Sequence, residues 1–236
     1  MYKKFLPSNI LSLNNKTIIN LLILMILISL LGLTYALFLS PSDYIQGDSV
    51  RIMYVHVPSS LIALGCYGFI GICSILNLVF KIKFISLMAK SIAPVGCIFS
   101  IVSIVTGSLW GKPTWGVWWV WDARLTSMLV LLLFYLFYIF LWKYIKNFER
   151  ANKLTSAIGI IGLFNLPIIK YSVDWWNTLH QPSSITLTSA PSIHYTMLIP
   201  LFIMLLAMII YLLIIFLMKY KIELMKLKID IKNKDN

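Results

Sequence analysis

Charge is scarce in this sequence. Only 12% of the 236 residues are charged, whereas 60% are hydrophobic. A soluble chain cannot keep so much apolar surface out of water, but a lipid bilayer accepts it. The composition therefore excludes an ordinary soluble domain and predicts an all-α polytopic membrane protein.

Cysteine is rarer still, with three residues, and no motif surrounds them. Cys66, Cys73 and Cys97 all lie inside apolar runs, so we interpret them as small core side chains and not as a disulfide framework or a metal site. The chain has no Cys-x-x-Cys-His run, so covalent haem attachment of the c type is not expected. It also has no glycine loop of the kind that cradles phosphates, so nucleotide hydrolysis is not expected either.

The apolar residues form six long runs. A membrane helix needs about 20 such residues to cross roughly 30 Å of hydrocarbon. The first run exceeds the apolar region of a cleaved signal peptide and ends in no clear small-x-small site, so we interpret it as a retained span. The predicted spans of this single domain are 17–40, 53–80, 91–110, 125–145, 154–172 and 196–218.

The basic residues gather on one predicted side of the membrane. Six spans place both termini on the same side, and sixteen of the 20 basic residues lie there, Lys3 and Lys4 among them. This bias predicts termini in the cytoplasm or matrix. The net charge of +12 thus reflects topology and attraction to anionic lipid, not nucleic-acid binding.

The basic tail 219–236 is expected to solvate this inner surface, with partner docking as the alternative. The four outer basic residues are Arg51, Lys112, Arg124 and Lys170.

Five of the eight tryptophans lie in the outer loop 110–124, between the third and fourth spans. They are Trp110, Trp115, Trp118, Trp119 and Trp121. An aromatic belt is the simpler interpretation, although a belt needs only an anchor or two at each span end. The i, i+3, i+4 spacing of Trp115, Trp118 and Trp119 predicts a short helix with three indoles on one face. Such a face would form a flat apolar shelf for a large planar ligand.

All three histidines fall on the same predicted outer side. His56 lies at the entrance of the second span, His180 in the second long outer loop 173–195, and His194 just before the last span. A lone histidine near a helix end is usually an interfacial residue, and that alternative stays open. Together with the indoles, however, the imidazoles suit a planar, apolar, metal-bearing ligand. Iron porphyrin meets these requirements, because neutral imidazoles bind its iron and indoles stack on its ring.

Charged residues beside the tryptophans complete the predicted site. Arg51, Arg124 or Lys112 would meet the two propionates, and arginine offers the bidentate geometry that a carboxylate favours. Asp122 lies two residues before Arg124 and is expected either to orient that arginine or to cap the fourth span. No second catalytic group accompanies Asp122, so no catalytic residue is predicted.

The segment from Trp110 to Thr126, with Trp-Gly-Val-Trp-Trp-Val-Trp-Asp at its centre, resembles the tryptophan-rich WWD motif of haem-handling membrane proteins. Within that group the chain is similar to the CcmC family of cytochrome c maturation system I over nearly its whole length. Arg-Ile-Met-Tyr-Val-His-Val-Pro at 51–58 resembles the family's segment with the first axial histidine. Trp-Trp-Asn-Thr-Leu-His-Gln at 175–181 resembles the segment with the second.

This resemblance implies haem b, bound non-covalently and transiently, with His56 and His180 as axial ligands and Arg51 and Arg124 as propionate contacts. The tryptophans between 110 and 121, with Asp122, would form the platform for haem and its acceptor. The implied acceptor is the haem chaperone CcmE, and the other implied partners are the ABC-type complex of CcmA and CcmB and the small subunit CcmD. The implied location is a bacterial or mitochondrial inner membrane, with the site facing the periplasm or intermembrane space.

Three other functions compete with capture and delivery. A transmembrane haem channel would need polar or ionisable residues deep within the spans, and only uncharged ones such as Asn77, Ser103 and Asn165 occur there. A haem lyase that acts directly on apocytochrome c resembles this chain in its motif but is much longer, with more spans and histidines. A membrane b-type cytochrome usually bridges histidines within its spans, and this chain has none at mid-span.

Overall fold

The computed structural model describes residues 7–182, 184 and 190–235. Helices dominate the described residues, which contain no strand and only one isolated β-bridge. The α-helices are α1 (Pro7–Leu11), α2 (Asn15–Thr34), α3 (Met53–Phe80), α4 (Lys83–Trp115), α5 (Ala123–Tyr144), α6 (Phe148–Ile161), α7 (Asn165–Trp175) and α8 (Tyr195–Asp235). A π-helical turn (Tyr35–Leu39) extends α2, one 3-10 turn (Asp48–Ile52) leads into α3, and another (Gly162–Phe164) joins α6 to α7.

Six helical segments among the described residues are long and apolar enough to cross a membrane. They are Asn15–Leu39, Asp48–Phe80, Lys83–Trp115, Ala123–Tyr144, Phe148–Trp175 and Tyr195–Asp230. Because α6 and α7 together supply one segment, the predicted all-α fold with six membrane helices is confirmed.

Two helices continue past the predicted ends of their spans. The third predicted span was 91–110, but α4 begins at Lys83 and carries Trp110 and Trp115 on its last turns. The last predicted span ended at 218, yet α8 continues through most of the basic tail to Asp235. At about 1.5 Å per residue, α8 would project roughly 25 Å beyond the apolar run. Some predicted features lie outside the described residues, namely Lys3, Lys4 and positions 183 and 185–189 of loop 173–195.

The core lies where α3, α4 and α5 meet. Tyr67 and Tyr135 are fully buried there and meet edge to face, with ring centroids 5.0 Å apart. The Tyr135 hydroxyl donates to the Ala63 carbonyl at 2.6 Å, since a buried hydroxyl away from water needs a partner. The Tyr135 ring packs against Gly96 of α4, where a Cβ atom would overlap it. A small residue at this crossing therefore lets two membrane helices approach closely.

Three side-chain contacts bring the helix ends that surround the histidines to one end of the bundle. Arg51 joins the 3-10 turn before α3 to the π-helical turn that extends α2. His56 joins α3 to the second half of α4, and Arg124 joins the start of α5 to α7. Met197, near the start of α8, packs at the same end against Ala36 and Tyr54. The helix ends that carry the predicted site are therefore tied to one another.

Gly96→Ala is expected to lower the stability of the folded protein, because its Cβ overlaps the buried ring of Tyr135. Overpacking of this kind costs about 1–3 kcal/mol. The matched control is Gly65→Ala on α3, where a Cβ would meet nothing within 4 Å. Thermal unfolding of the detergent-solubilised protein measures both changes. Equal unfolding temperatures for the two variants would contradict the close packing of Gly96 on Tyr135.

Candidate functional site

The His56 imidazole is held by groups on the neighbouring helix α4. Its Nδ1 atom lies 3.0 Å from the Ser103 carbonyl oxygen and 3.2 Å from Thr106 Oγ1. A carbonyl oxygen can only accept a hydrogen bond, so Nδ1 carries the proton and donates it. The Nε2 atom of His56 then keeps its lone pair, and this is the form of a neutral imidazole that binds a metal.

The space around the His56 ring depends on a glycine and a tryptophan. A Cβ atom at Gly107 would lie 3.0 Å from His56 Cε1, so a larger residue there would press on the imidazole. The Trp110 indole meets the His56 ring edge to face, with centroids 5.8 Å apart. Its own Nε1 donates to Gln46 Oε1 at 2.8 Å. The loop before α3 thus fixes the indole that supports His56.

His180 follows α7 and is half-buried. Its Nδ1 lies 3.2 Å from Arg124 Nη1 and 3.2 Å from the Gln181 carbonyl oxygen. The ring also meets Trp115 edge to face, with centroids 6.0 Å apart. Burial, with the positive charge of Arg124 as the second cause, lowers the pKa of His180 to about 4. His180 is therefore neutral at pH 7, as an imidazole ligand must be.

The fold brings these two histidines together, although they lie far apart in the sequence. The imidazoles are close enough to interact electrostatically. Trp110 and Trp115, both on the last turns of α4, each contact one of the rings. Two predicted ligands and two predicted indoles therefore form one cluster at the end of the bundle.

The two predicted propionate contacts also lie at this end, and both have protein partners. Arg124 donates from Nε to Ser172 Oγ at 3.1 Å and from Nη2 to the Lys170 carbonyl at 3.2 Å. Arg51 donates from Nη1 to the Ala36 carbonyl at 2.7 Å, and its Nε lies 3.1 Å from Asp48 Oδ1. Arg124 thus adjoins His180 directly, whereas Arg51 ties the turn before α3 to the end of α2.

The predicted helical face of Trp115, Trp118 and Trp119 is wrong. Helix α4 ends at Trp115 because Gly116 adopts a left-handed conformation (φ +79°) and donates its N–H to the Lys112 carbonyl at 3.0 Å. Glycine commonly ends helices in this way. Residues 116–122 are not helical, so Trp118 and Trp119 do not continue the face that carries Trp115.

Beyond α4 the remaining indoles face different surroundings. Trp118 and Trp121 are 55% and 75% exposed, whereas Trp119 is half-buried and meets Trp121 edge to face at 5.6 Å. The segment therefore presents two exposed indoles in place of a continuous shelf. A large exposed apolar side chain at a membrane protein's aqueous end is suited to contact with a partner or with the interface.

Two buried polar atoms in this segment have no hydrogen-bond partner among the described residues. They are Asp122 Oδ2 and Trp119 Nε1. Asp122 caps α5 with its other oxygen, Oδ1, which accepts from the Leu125 N–H at 2.8 Å. Of its two predicted roles, Asp122 therefore has the capping role, and it forms no hydrogen bond with Arg124 in the described part of the chain. A buried polar group without a partner costs about 1–3 kcal/mol. Both atoms are therefore ready to bond a ligand or a partner protein.

Several contacts of the cluster could not be read from the sequence. Ser103, Thr106, Gln46 and Ser172 carry no motif, and each matters because tertiary packing places it beside a site residue. His194, in contrast, is exposed and contacts its own helix start, where its Nδ1 lies 2.8 Å from Thr196 Oγ1.

Comparison with known proteins gives one family. The family model described as Heme exporter protein C matches residues 2–234. A Heme exporter protein C of Haemophilus influenzae is 41% identical over 172 residues, 73% of this chain and 70% of the relative. That of Bradyrhizobium diazoefficiens is 38% identical over 170 residues, which are 72% of this chain and 65% of the relative. That of Escherichia coli K12 is 37% identical over 145 residues, which are 61% of this chain and 59% of the relative. The match thus spans less than two thirds of the last two relatives.

Arg124→Gln is expected to raise the pKa of His180, because it removes the second cause of the lowered value. The midpoint should stay below the usual 6.5, since burial, the larger cause, persists. NMR titration of the ligand-free, histidine-labelled protein measures the pKa of His180. In the unsubstituted protein the expected midpoint is about 4. Lys170→Gln removes a nearby exposed charge as the control and should leave the midpoint unchanged. A midpoint near 6.5 in the unsubstituted protein would contradict the burial of this ring.

Proposed function

This chain belongs to the family described as Heme exporter protein C, and we propose that it binds haem at the end of the bundle that carries His56 and His180. From there it passes the haem to an acceptor for the assembly of c-type cytochromes. The proposed haem is haem b, held non-covalently and for a limited time.

The observation that carries this proposal is the pairing of two neutral imidazoles from different elements. His56 donates from Nδ1 to Ser103 and keeps Nε2 available. His180 lies close to it and is neutral because of burial and Arg124. Bound haem supplies an iron that takes a nitrogen ligand on each face. His56 and His180 are the donors proposed for those two positions.

The proton on His180 decides which nitrogen of this residue is available. Its Nδ1 faces Arg124, which can only donate, and the Gln181 carbonyl, which can only accept. When Nδ1–H donates to the Gln181 carbonyl, Nε2 keeps the lone pair that an iron ligand requires. In that state Arg124 Nη1 is released from His180, and this N–H is then free for a propionate.

The rest of the site also fits this cargo. Trp110 and Trp115 support the two imidazoles, and indole faces stack on aromatic macrocycles. Trp119 Nε1 and Asp122 Oδ2 supply a buried donor and acceptor without a partner in the described part of the chain. Arg51 is proposed as a second propionate contact. It bonds to Asp48 through Nε and to the Ala36 carbonyl through Nη1, so neither bond uses its Nη2 group.

Delivery requires a surface that an acceptor can reach, and Trp118 with Trp121 forms the exposed part of the segment. We propose that these two indoles dock the haem chaperone CcmE. The ABC-type complex of CcmA and CcmB and the small subunit CcmD are the other proposed partners. The proposed location is an inner membrane with the histidine end facing the periplasm or intermembrane space, since the basic residues concentrate at the opposite end.

Surface capture is favoured over a channel through the bundle. No Asp, Glu, Lys or Arg residue is buried as a whole in the described part of the chain, and Asp122, with one buried oxygen, lies at a helix start. The two buried asparagines bond to protein groups: Asn77 Nδ2 donates to Asn152 Oδ1 at 2.9 Å, and Asn165 Nδ2 donates to the Ser127 carbonyl at 2.8 Å. A polar pathway would leave such groups facing water or cargo.

Replacement of both His56 and His180 by alanine is expected to remove the bis-histidine absorption spectrum and most of the bound haem. Both axial nitrogens are lost, and the indoles alone offer no iron ligand. The measurement is the absorption spectrum of the detergent-extracted protein, with and without reductant, together with its haem content.

His194→Ala is the matched control for the double variant, because His194 is exposed and contacts only the start of its own helix among the described residues. Its spectrum should equal that of the unsubstituted protein. An unchanged spectrum in the double variant, or an equal loss in the control, would show that the axial assignment is wrong.

Trp118→Ala with Trp121→Ala is expected to weaken capture of CcmE at least tenfold while haem binding persists. Both side chains are exposed, and exposed tryptophans commonly carry a large share of the energy of an interface. Co-purification of the chaperone with the membrane protein measures the effect.

Trp175→Ala with Trp176→Ala is the control for the docking test, since these side chains are also exposed, at 57% and 50%, but lie on and after α7. Capture should survive in this control. If the two pairs of substitutions reduce co-purification equally, Trp118 and Trp121 have no specific docking role.

A further inference from the structure

A cavity lined by lysines lies at the opposite end of the bundle from the histidines. It has a volume of about 340 Å³ and is bounded by α4, α5 and α8. None of the residues assigned to haem lines it. The charged and aromatic residues that line it are Lys90, Tyr138, Trp142, Lys143, Lys219, Glu223 and Lys226.

The charges of this cavity do not balance. Glu223 is its single carboxylate, and it pairs with both Lys90 at 2.5 Å and Lys226 at 2.9 Å. Lys143 and Lys219 form no ion pair with any described residue. Four lysines and one glutamate therefore leave an excess of positive charge, which favours an anionic ligand.

The cavity lies where the bundle leaves the hydrocarbon. Lys219 is the first charged residue after the apolar run of α8, and Lys143 is the next-to-last residue of α5. Trp142 lies beneath the Lys90 ammonium, which is 5.0 Å from the indole centroid, and tryptophan favours the headgroup level. The cavity wall also includes Pro94 and Ile139, so the lysines adjoin apolar surface.

We propose that this cavity binds the headgroup of an anionic phospholipid. The lysines would contact its phosphate as point charges, and the acyl chains would follow the apolar wall into the bilayer. Basic pockets between membrane helices on the cytoplasmic or matrix side suit such headgroups. Haem is the less suitable occupant, because the lining contains no His, Cys or Met, and its one tyrosine, Tyr138, is buried in the core of the bundle. The inference does not rest on the proposed haem function.

The experiment is native mass spectrometry of the full chain in detergent, with phosphatidylglycerol or phosphatidylcholine added. The unsubstituted protein should bind phosphatidylglycerol and bind phosphatidylcholine at least tenfold more weakly. Lys143→Gln with Lys219→Gln should weaken phosphatidylglycerol binding at least tenfold, since the two lysines without ion pairs are removed. Lys143→Arg with Lys219→Arg keeps the charge and should retain binding.

The matched control is Lys228→Gln with Lys232→Gln, which removes the same charge from exposed positions of α8 outside the cavity. An equal loss in this control would overturn the proposal, because the attraction would then come from the helix as a whole.

Equal binding of the two lipids, or displacement of phosphatidylglycerol by inorganic phosphate at the same concentration, would also overturn it. A change in the haem absorption spectrum that requires Lys143 and Lys219 would make the cavity a porphyrin site instead. Size-exclusion chromatography checks that each variant is folded.

Discussion

The hydrogen bond from His56 Nδ1 to the Ser103 carbonyl is the contact on which the histidine end depends. It crosses from α3 to α4, so it holds the imidazole in one orientation and one tautomer while it ties two membrane helices together. A backbone carbonyl can only accept, so Nδ1 keeps the proton of the neutral ring and Nε2 keeps its lone pair. Gly107 preserves the necessary space, and Trp110 supports the same ring.

The second histidine has a less rigid support, and this difference has chemical meaning. His180 lies on a loop, and its Nδ1 faces one donor and one acceptor at the same distance, 3.2 Å. Its tautomer can therefore respond to a ligand, whereas that of His56 is set in advance. A carrier that must first hold its cargo and then release it benefits from one fixed and one adaptable ligand. Arg124 connects the adaptable ligand to α7 through Ser172, which confines its movement.

The two ends of the bundle divide the charge and the aromatic residues between them. The histidine end combines indoles and imidazoles, and its two arginines are bonded to backbone carbonyls or neighbouring side chains. The opposite end collects lysines around Glu223 and Trp142. In the spans between them, the Asn77 amide and the Tyr135 hydroxyl each bond to another protein group, as a hydrocarbon environment favours. The proposed haem site and the proposed lipid site thus lie at opposite ends of the bundle and share no residue.

The sequence predicted the number of membrane helices and which residues lie at which end of the bundle. Both depend on hydropathy and charge, which determine how each stretch of chain interacts with the bilayer. The grouping of histidines and tryptophans at one end followed from the same alternation of spans. The face shared by Trp115, Trp118 and Trp119 was predicted wrongly, since spacing alone does not reveal that Gly116 ends α4. Only the tertiary structure decided the tautomer of His56, the bonds of Arg124 to α7 and His180, and the cavity between α4, α5 and α8. These features depend on how each helix is rotated and which helix it packs against, and such contacts join residues that no local pattern connects.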